Sequence, residues 1–418
     1  MRPSLGLALA LLAACGGSDS PAADTGSTSV GATDAGTTST DPTASSSGAS
    51  TVADTSSSAT TTPADSSSGD TGEPPMGVGP GPHAVGHTTT TLALVDGRST
   101  SVQWWYPAAA AGDPTALADL EPPGPRQDAL ADAIAAAPEP CTRKLVASTT
   151  DAAPLVGEPA PVVVFSHCSD CLRYSSSTIA EQLASWGFVV AAPDHTDNTL
   201  FDVLDGTSVG VDPDFLATRG DDLVRVIDAI AADGVDVPAA LQGHLDVERL
   251  GVMGHSFGSV TAGWVAEHDD RVDAAVTIAA PVQNPLLPGV TVTNIDVPLL
   301  MLLAQEDNSI LELGNNLIRS NFDDANPPVW LVEFVDAGHW SFSDVCALVE
   351  AFSPGCGDGI RQTVADEPFT YVDIDATRHR AADWATAFFA ASILGDAAAQ
   401  AWLETPPTDD AITVQSRL

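Results

Sequence analysis

The chain has 418 residues, of which 44% are apolar, and its 56 acidic against 15 basic side chains give a formal charge of −41. That balance excludes a nucleic-acid partner, because phosphate binding needs clustered Lys and Arg, and Lys144 is the single lysine among scattered arginines. Anionic membrane surfaces are disfavoured for the same reason, and self-repulsion of this size favours a soluble monomer.

Residues 1–14 read as a signal peptide. Arg2 precedes the apolar run LGLALALLAA, which is too short to cross a bilayer. The run ends at LAAC, residues 12–15, which resembles the lipobox of bacterial lipoproteins. The resemblance implies that Cys15 is lipidated, and Gly16 in place of Asp points to the outer membrane. An ordinary secretory signal is the alternative, and both predict export. Residues 15–82 are Ser, Thr, Gly, Asp, Ala and Pro with hardly a large apolar side chain. Such a stretch buries too little surface to offset its ordering entropy, so a disordered tether is expected. With no other run long enough to span, lipid would be the only membrane contact.

An ordered domain is expected over 83–405, with 406–418 as a tail. HTTTTLALVD and TSVQWWYPA flank Gly97-Arg98 and predict a β-hairpin. Residues 107–158 are rich in Ala and Pro, with a helix in DALADAIAAA. APVVVFSHCSD is a bare apolar strand followed by a polar turn, STIAEQLASWGF an amphipathic helix, and VVAAPDHTDN a second buried strand. DDLVRVIDAIAA is a helix. DVERLGVMGHSFGSVTAGWVAEH reads as strand, turn, helix. VDAAVTIAAP, VPLLMLLAQED and VWLVEFVDAGH are three more buried strands, and HRAADWATAFFAASIL closes the domain as a helix. Bare strands alternating with amphipathic helices predict an α/β fold, a mostly parallel sheet covered on both faces.

In such a sheet, chemistry sits beyond the carboxyl ends of the strands. Gly254-His255-Ser256-Phe257-Gly258 falls there, between a strand and a helix. The flanking glycines permit a sharp turn that exposes the Ser256 hydroxyl, and the following helix directs N–H groups at a developing anion. Ser256 is the candidate nucleophile. A serine hydroxyl needs a base that is itself oriented by a carboxylate. His339 lies just past an apolar strand, where a loop can bring it over the serine. His379, in ATRHRAADW, reads as a surface residue. LLMLLAQEDNSI offers Glu306 and Asp307 at the end of the preceding strand, and Asp307 is the favoured acid.

The pieces VVVFSHCSDCLRYSS, LASWGFVVAAPDHTDNTL, RLGVMGHSFGSVTA, PLLMLLAQED and DAGHWSFSD resemble α/β-hydrolases of the group holding bacterial relatives of platelet-activating-factor acetylhydrolase and dienelactone-hydrolase-like esterases. The resemblance covers most of 83–405. It implies an oxyanion hole made by the backbone N–H groups of Ser169 and Phe257. Cys168 stands where the family has glycine. The animal acetylhydrolases place their acid after an earlier strand, which here ends AVTIAAPVQ without a carboxylate. Dienelactone hydrolases proper use a cysteine nucleophile, where this chain has serine.

Beyond Cys15, five cysteines remain, and export makes disulfides the first reading. Cys346 and Cys356 flank a Pro-Gly turn soon after His339 and are expected to pair. Cys141 is expected to join Cys168 or Cys171, leaving one thiol. No second pair has metal-ligand spacing, so no metal and no cofactor are implied. The reading is an exported, lipid-anchored serine hydrolase of carboxylic esters. A silent binding protein of the same fold and a peptidase are the alternatives.

Overall fold

The computed structural model describes residues 76–95 and 97–418. Cys15, the signal peptide over 1–14 and the tether as far as residue 75 lie outside the described residues. Among these described residues fourteen strands follow in chain order. They are β1 (Ala84–Ala93), β2 (Ser99–Ala108), β3 (Thr115–Ala116), β4 (Leu145–Val146), β5 (Thr149–Thr150), β6 (Ala160–Ser166) and β7 (Val189–Pro193). Then come β8 (Leu245–His255), β9 (Ala274–Ile278), β10 (Leu299–Ala304), β11 (Val329–Phe334), β12 (Asp358–Ile360), β13 (Pro368–Thr370) and β14 (Ile412–Arg417).

Ten of these form one sheet in the order β14-β11-β10-β9-β8-β6-β7-β2-β1-β5. Its centre, from β7 through β6, β8, β9 and β10 to β11, is parallel, and β1, β2 and β14 supply the antiparallel pairings. The bare apolar strands sort their side chains by the two-residue period. Leu299, Met301 and Leu303 of β10 enter the cluster on one face, and Leu300, Leu302 and Ala304 the cluster on the other. The first face is covered by α4 (Pro213–Ala232), through Leu223, Val226, Ile227 and Ile230, and by α6 (Leu311–Asp324), through Ile318 and Phe322. The second is covered by α2 (Ser177–Ser185) and α7 (Ile374–Leu394), whose Leu183, Phe388 and Phe389 have no measurable exposure. The remaining helices are α1 (Pro125–Ala136), α3 (Leu200–Asp205), α5 (Phe257–His268) and α8 (Ala397–Glu404). Among the described residues no helix is long and apolar enough to cross a membrane.

Both expected domain boundaries shift outward. The Gly79 N–H donates to Asp383 at 2.8 Å, and the Trp186 indole N–H donates to the Gly79 carbonyl at 2.7 Å. The domain therefore holds the chain before residue 83, inside the stretch expected to be tether. Nor is 406–418 a tail. Ile412–Arg417 pairs antiparallel with β11 from Phe334↔Ile412 to Val329↔Arg417 and closes that edge of the sheet.

The cysteine pairing also differs from expectation. Cys356 bonds Cys141, 215 residues away with Cα atoms 5.6 Å apart, and Cys168 bonds Cys171. Among the described residues Cys346 is the free thiol. It is buried in the apolar cluster that contains Trp340, Phe342 and Val345, and Cys356, packed against the same cluster, is already bonded to Cys141. Burial pushes that thiol's pKa up to about 12, which leaves it inert.

Candidate active site

β8 ends at His255, and α5 begins at Phe257. Between them Ser256 adopts φ 56° and ψ −121°, a conformation that non-glycine residues avoid and that a surrounding fold must enforce. The glycines explain how it is enforced. A Cβ on Gly254 would lie 1.9 Å from the Gly258 carbonyl oxygen, and one on Gly258 would lie 2.0 Å from that of Ser166. Helix α5 is thus pressed against the end of β6, with no room for a side chain at either position. The Ser256 N–H donates to the Ile278 carbonyl at 2.8 Å, and the Ser259 hydroxyl accepts the Ile278 N–H at 2.8 Å. Ser259, which sequence reasoning passed over, ties the turn to β9.

The Ser256 hydroxyl lies 2.8 Å from His339 Nε2, and His339 Nδ1 lies 2.7 Å from Asp307 Oδ2. Asp307 follows β10, and its second oxygen accepts the Ser309 and Ile310 N–H groups at 2.9 and 3.0 Å. The carboxylate is fully buried and held at both oxygens, so Nδ1 of His339 is the donor and Nε2 faces the serine. His339 opens a 3-10 turn, His339–Phe342, after β11. His255 fixes that turn from below. Its Nε2–H donates to the His339 carbonyl at 3.0 Å, and burial together with the neighbouring His339 ring brings its pKa down to about 3. His255 therefore stays a neutral prop beneath His339.

Glu306 does something else. Its Oε1 accepts from Arg361 at 3.0 Å and from the Thr363 hydroxyl, and its Oε2 accepts the Gln362 and Thr363 N–H groups at 2.8 and 3.2 Å. Burial alone would raise its pKa, but the bonds from Thr363, Arg361 and Gln362 outweigh that and lower it. The side chain clamps the segment after β12 over the acid loop and does not reach His339. His379 is exposed on α7, with Nδ1 bonded to the Asp375 carbonyl of its own helix.

Ser169 and Phe257 come from two different elements. Ser169 sits in the turn after β6, inside the Cys168–Cys171 disulfide, and Phe257 is the first residue of α5. In a trans peptide the C=O and N–H point opposite ways, so fixing one fixes the other. The Cys168 carbonyl accepts from His167 Nδ1 at 2.6 Å and from the Cys171 N–H, and the Ser256 carbonyl accepts the Ser259 N–H at 2.8 Å. Each bond turns the following N–H, that of Ser169 or Phe257, away from the turn's interior. Among the described residues neither N–H is taken up by another protein group.

A second Ser-His-Asp array lies beneath the first. Ser166 Oγ is 2.9 Å from His195 Nε2, and His195 Nδ1 is 3.4 Å from Asp222. All three are buried, and Arg219 donates to Ser166 Oγ at 3.1 Å, so this array braces the end of β6 and offers no nucleophile. Sequence reasoning missed it. One signal was available: Arg219 occupies the apolar face of α4, in register with Leu216, Leu223 and Val226. Among the described residues no group of three or more His, Cys, Asp or Glu side chains is disposed to hold a metal ion.

Two family models match this architecture. The dienelactone hydrolase family model matches residues 149–346, and that of platelet-activating factor acetylhydrolase, isoform II, matches residues 72–202. Neither match covers half of the chain, and with the sheet described above they support an α/β-hydrolase fold of the esterase kind. A solved ferulic acid esterase from Streptomyces cinnamoneus superposes on the hydrolase with a TM-score of 0.60 at 22% identity, covering 82% of this chain and 99% of that one. That likeness speaks to the fold. No curated protein matches the hydrolase. In this serine carboxylic ester hydrolase the Ser256, His339 and Asp307 side chains converge on the turn after β8.

Proposed function

We propose that this hydrolase cleaves uncharged carboxylic esters outside the cytoplasm, through an acyl-enzyme on Ser256. The observation that carries the reading is the unbroken contact chain from Ser256 Oγ to His339 at 2.8 Å and on to Asp307 at 2.7 Å. His339 Nε2 takes the hydroxyl proton as Oγ bonds the ester carbonyl carbon, and Asp307 stabilises the imidazolium. The oxyanion that forms is held by the Ser169 and Phe257 N–H groups and by the N-terminus of α5. His339 then gives its proton to the departing alcohol. Water, deprotonated by the same nitrogen, releases the acid and restores the serine. No cofactor is called for.

The formal charge of −41 disfavours anionic substrates and anionic lipid surfaces, and it supports a monomer. Export and anchoring rest on Arg2, the apolar run and Cys15 in LAAC, which support a chain lipidated at Cys15 and held at the outer membrane or cell surface.

The test uses the full chain and its Ser256→Ala variant. A fluorophosphonate probe should label the first and not the second, and hydrolysis of a p-nitrophenyl ester or of methyl ferulate should fall about 10⁴-fold or more in the variant. Equal labelling of both would remove Ser256 from the mechanism. A wild-type chain inert towards every ester would leave the silent binder, and cleavage of peptides alone would leave the peptidase. In cells, labelled palmitate should enter the wild type and not Cys15→Ser. A mature chain that begins elsewhere would overturn the anchor.

A further inference from the structure

Arg219 is the least expected residue near the site. It projects from α4 into the interior with no measurable exposure, and among the described residues no carboxylate lies within ion-pair distance of it. Burying a cation without a direct counter-ion is costly. Burial lowers its pKa to about 9, with Asp222 and Asp170 opposing at longer range, so it remains a cation at neutral pH. A purely structural arginine would be expected to sit against an acid. This one sits against the two halves of the anion site.

Its contacts are specific. One terminal nitrogen donates to Asn198 Oδ1 at 2.6 Å. The other donates to Ser166 Oγ at 3.1 Å and to the His167 carbonyl. The guanidinium carbon stands 4.5 Å from the centre of the Phe257 ring, where the cation meets the ring's negative face. Asn198 passes the contact on, donating to Ser169 Oγ at 3.1 Å and to the Val209 carbonyl at 3.0 Å.

The His167 end is equally determined. His167 Nε2 accepts the His195 N–H at 2.9 Å, which leaves Nδ1–H as the donor to the Cys168 carbonyl. That carbonyl belongs to the peptide whose N–H is that of Ser169. Holding the His167 carbonyl therefore sets the position of the ring that aims the Ser169 N–H, while the stacked face sets the Phe257 side chain whose backbone supplies the other donor.

We propose that Arg219 is a positioning residue for the oxyanion hole, gauging the distance between its two halves by gripping the 166–169 turn with one edge and the Phe257 ring with its face. The inference rests on the proposed roles of Ser169 and Phe257. Glycine is what the family places at 168, and here Cys168 is locked to Cys171 in its stead. A buried fork anchored on a helix supplies the constraint that keeps this altered turn in register with α5.

The test is Arg219→Met, which keeps the length and the apolar stem and removes the fork and charge. A well-placed oxyanion donor is worth about 10²–10³ in kcat, and misplacing one by a fraction of an ångström forfeits part of that. Arg219→Met should therefore lower kcat about 30- to 100-fold with KM within about threefold. The deciding readout is the inhibition constant of a trifluoromethyl ketone, which Ser256 converts to a tetrahedral oxyanion. It should weaken by the same factor as kcat/KM falls. A residue that only supports folding would reduce the titratable fraction of active sites and leave that constant unchanged for the folded fraction. Arg219→Lys, which keeps the charge and can reach one of the two acceptors, should recover part of the loss in both quantities. If Arg219→Met does not fold, Asn198→Ala carries the same comparison, with about a tenfold parallel loss expected. Parallelism absent in the folded variant, or both quantities within threefold of wild type, overturns the proposal. A wild-type chain that is inert, or active without Ser256, overturns the underlying mechanism instead.

Discussion

At the residue scale, adjacent acids after β10 have opposite tasks, and register alone separates them. Asp307 turns inward to His339, and Glu306 turns to Arg361 and the 362–363 backbone. Asp307→Asn should lower kcat by roughly 10³–10⁴-fold with KM little changed, because an amide favours the wrong imidazole tautomer. Glu306→Gln should leave kcat within about tenfold, since it touches neither base nor nucleophile. Its effect belongs in stability. An amide nitrogen would face the Gln362 and Thr363 donors, and Arg361 would lose a charged acceptor, a loss of about 2 kcal/mol. Glu306 has a lowered folded pKa, so its contribution is complete above the unfolded value and fades as pH falls through the folded one. Urea unfolding with steady-state kinetics on both variants separates the roles. Large kcat loss in Glu306→Gln with Asp307→Asn active would reverse them.

At the scale of elements, legibility followed the physics of burial. Strands such as VVVF and LLMLLA are apolar at every position because helices cover both faces, and that signal needs no partner to be read. Ser256, His339 and Asp307 were legible as candidates because each follows the end of such a strand. β14 was not, because ITVQSR pairs on one side only and is half exposed, so its pattern resembles a tail. The buried Ser166-His195-Asp222 array was not, because its members come from β6, the turn after β7 and α4. Disulfide partners fall in the same class: chain proximity favoured Cys346–Cys356, whereas the real bridge spans 215 residues and ties the segment after α1 to the chain beyond His339. Peptide mapping without reduction should recover the Cys141–Cys356 and Cys168–Cys171 fragments, with Cys346 alkylated only after unfolding. The double substitution Cys141→Ser with Cys356→Ser should destabilise the fold by about 2–5 kcal/mol, and a change below 1 kcal/mol would mean that packing already holds these segments together.

At the scale of the whole molecule, two charge effects compete as pH falls. The formal charge of −41 predicts relief of self-repulsion as carboxylates take up protons, which would stabilise the fold. Glu121, Asp170 and Asp383 act in the same direction, since burial raises their folded pKa values and the native state then binds protons first. The buried histidines act against this. Burial lowers the pKa of His87, His167, His195 and His255, the last to about 3, so each takes up its proton at lower pH in the fold than in the unfolded chain. For a depressed histidine the unfolded state binds more protons below about pH 6.5, and stability falls with pH until the folded value is reached. From pH 7 to pH 5 that amounts to about 2 kcal/mol for each histidine that remains neutral. Ordinary carboxylates titrate near pH 4, below this window, so only the three raised acids oppose the four histidines within it, and the histidines should win. Urea unfolding should show stability dropping by several kcal/mol between pH 7 and pH 5, with the same slope at low and high salt because buried sites are little screened. Flat or rising stability across that range would mean that these imidazoles accept protons in the native state. The neutral prop under His339 and the Nδ1–H donor that aims the Ser169 N–H would then both have to be redrawn.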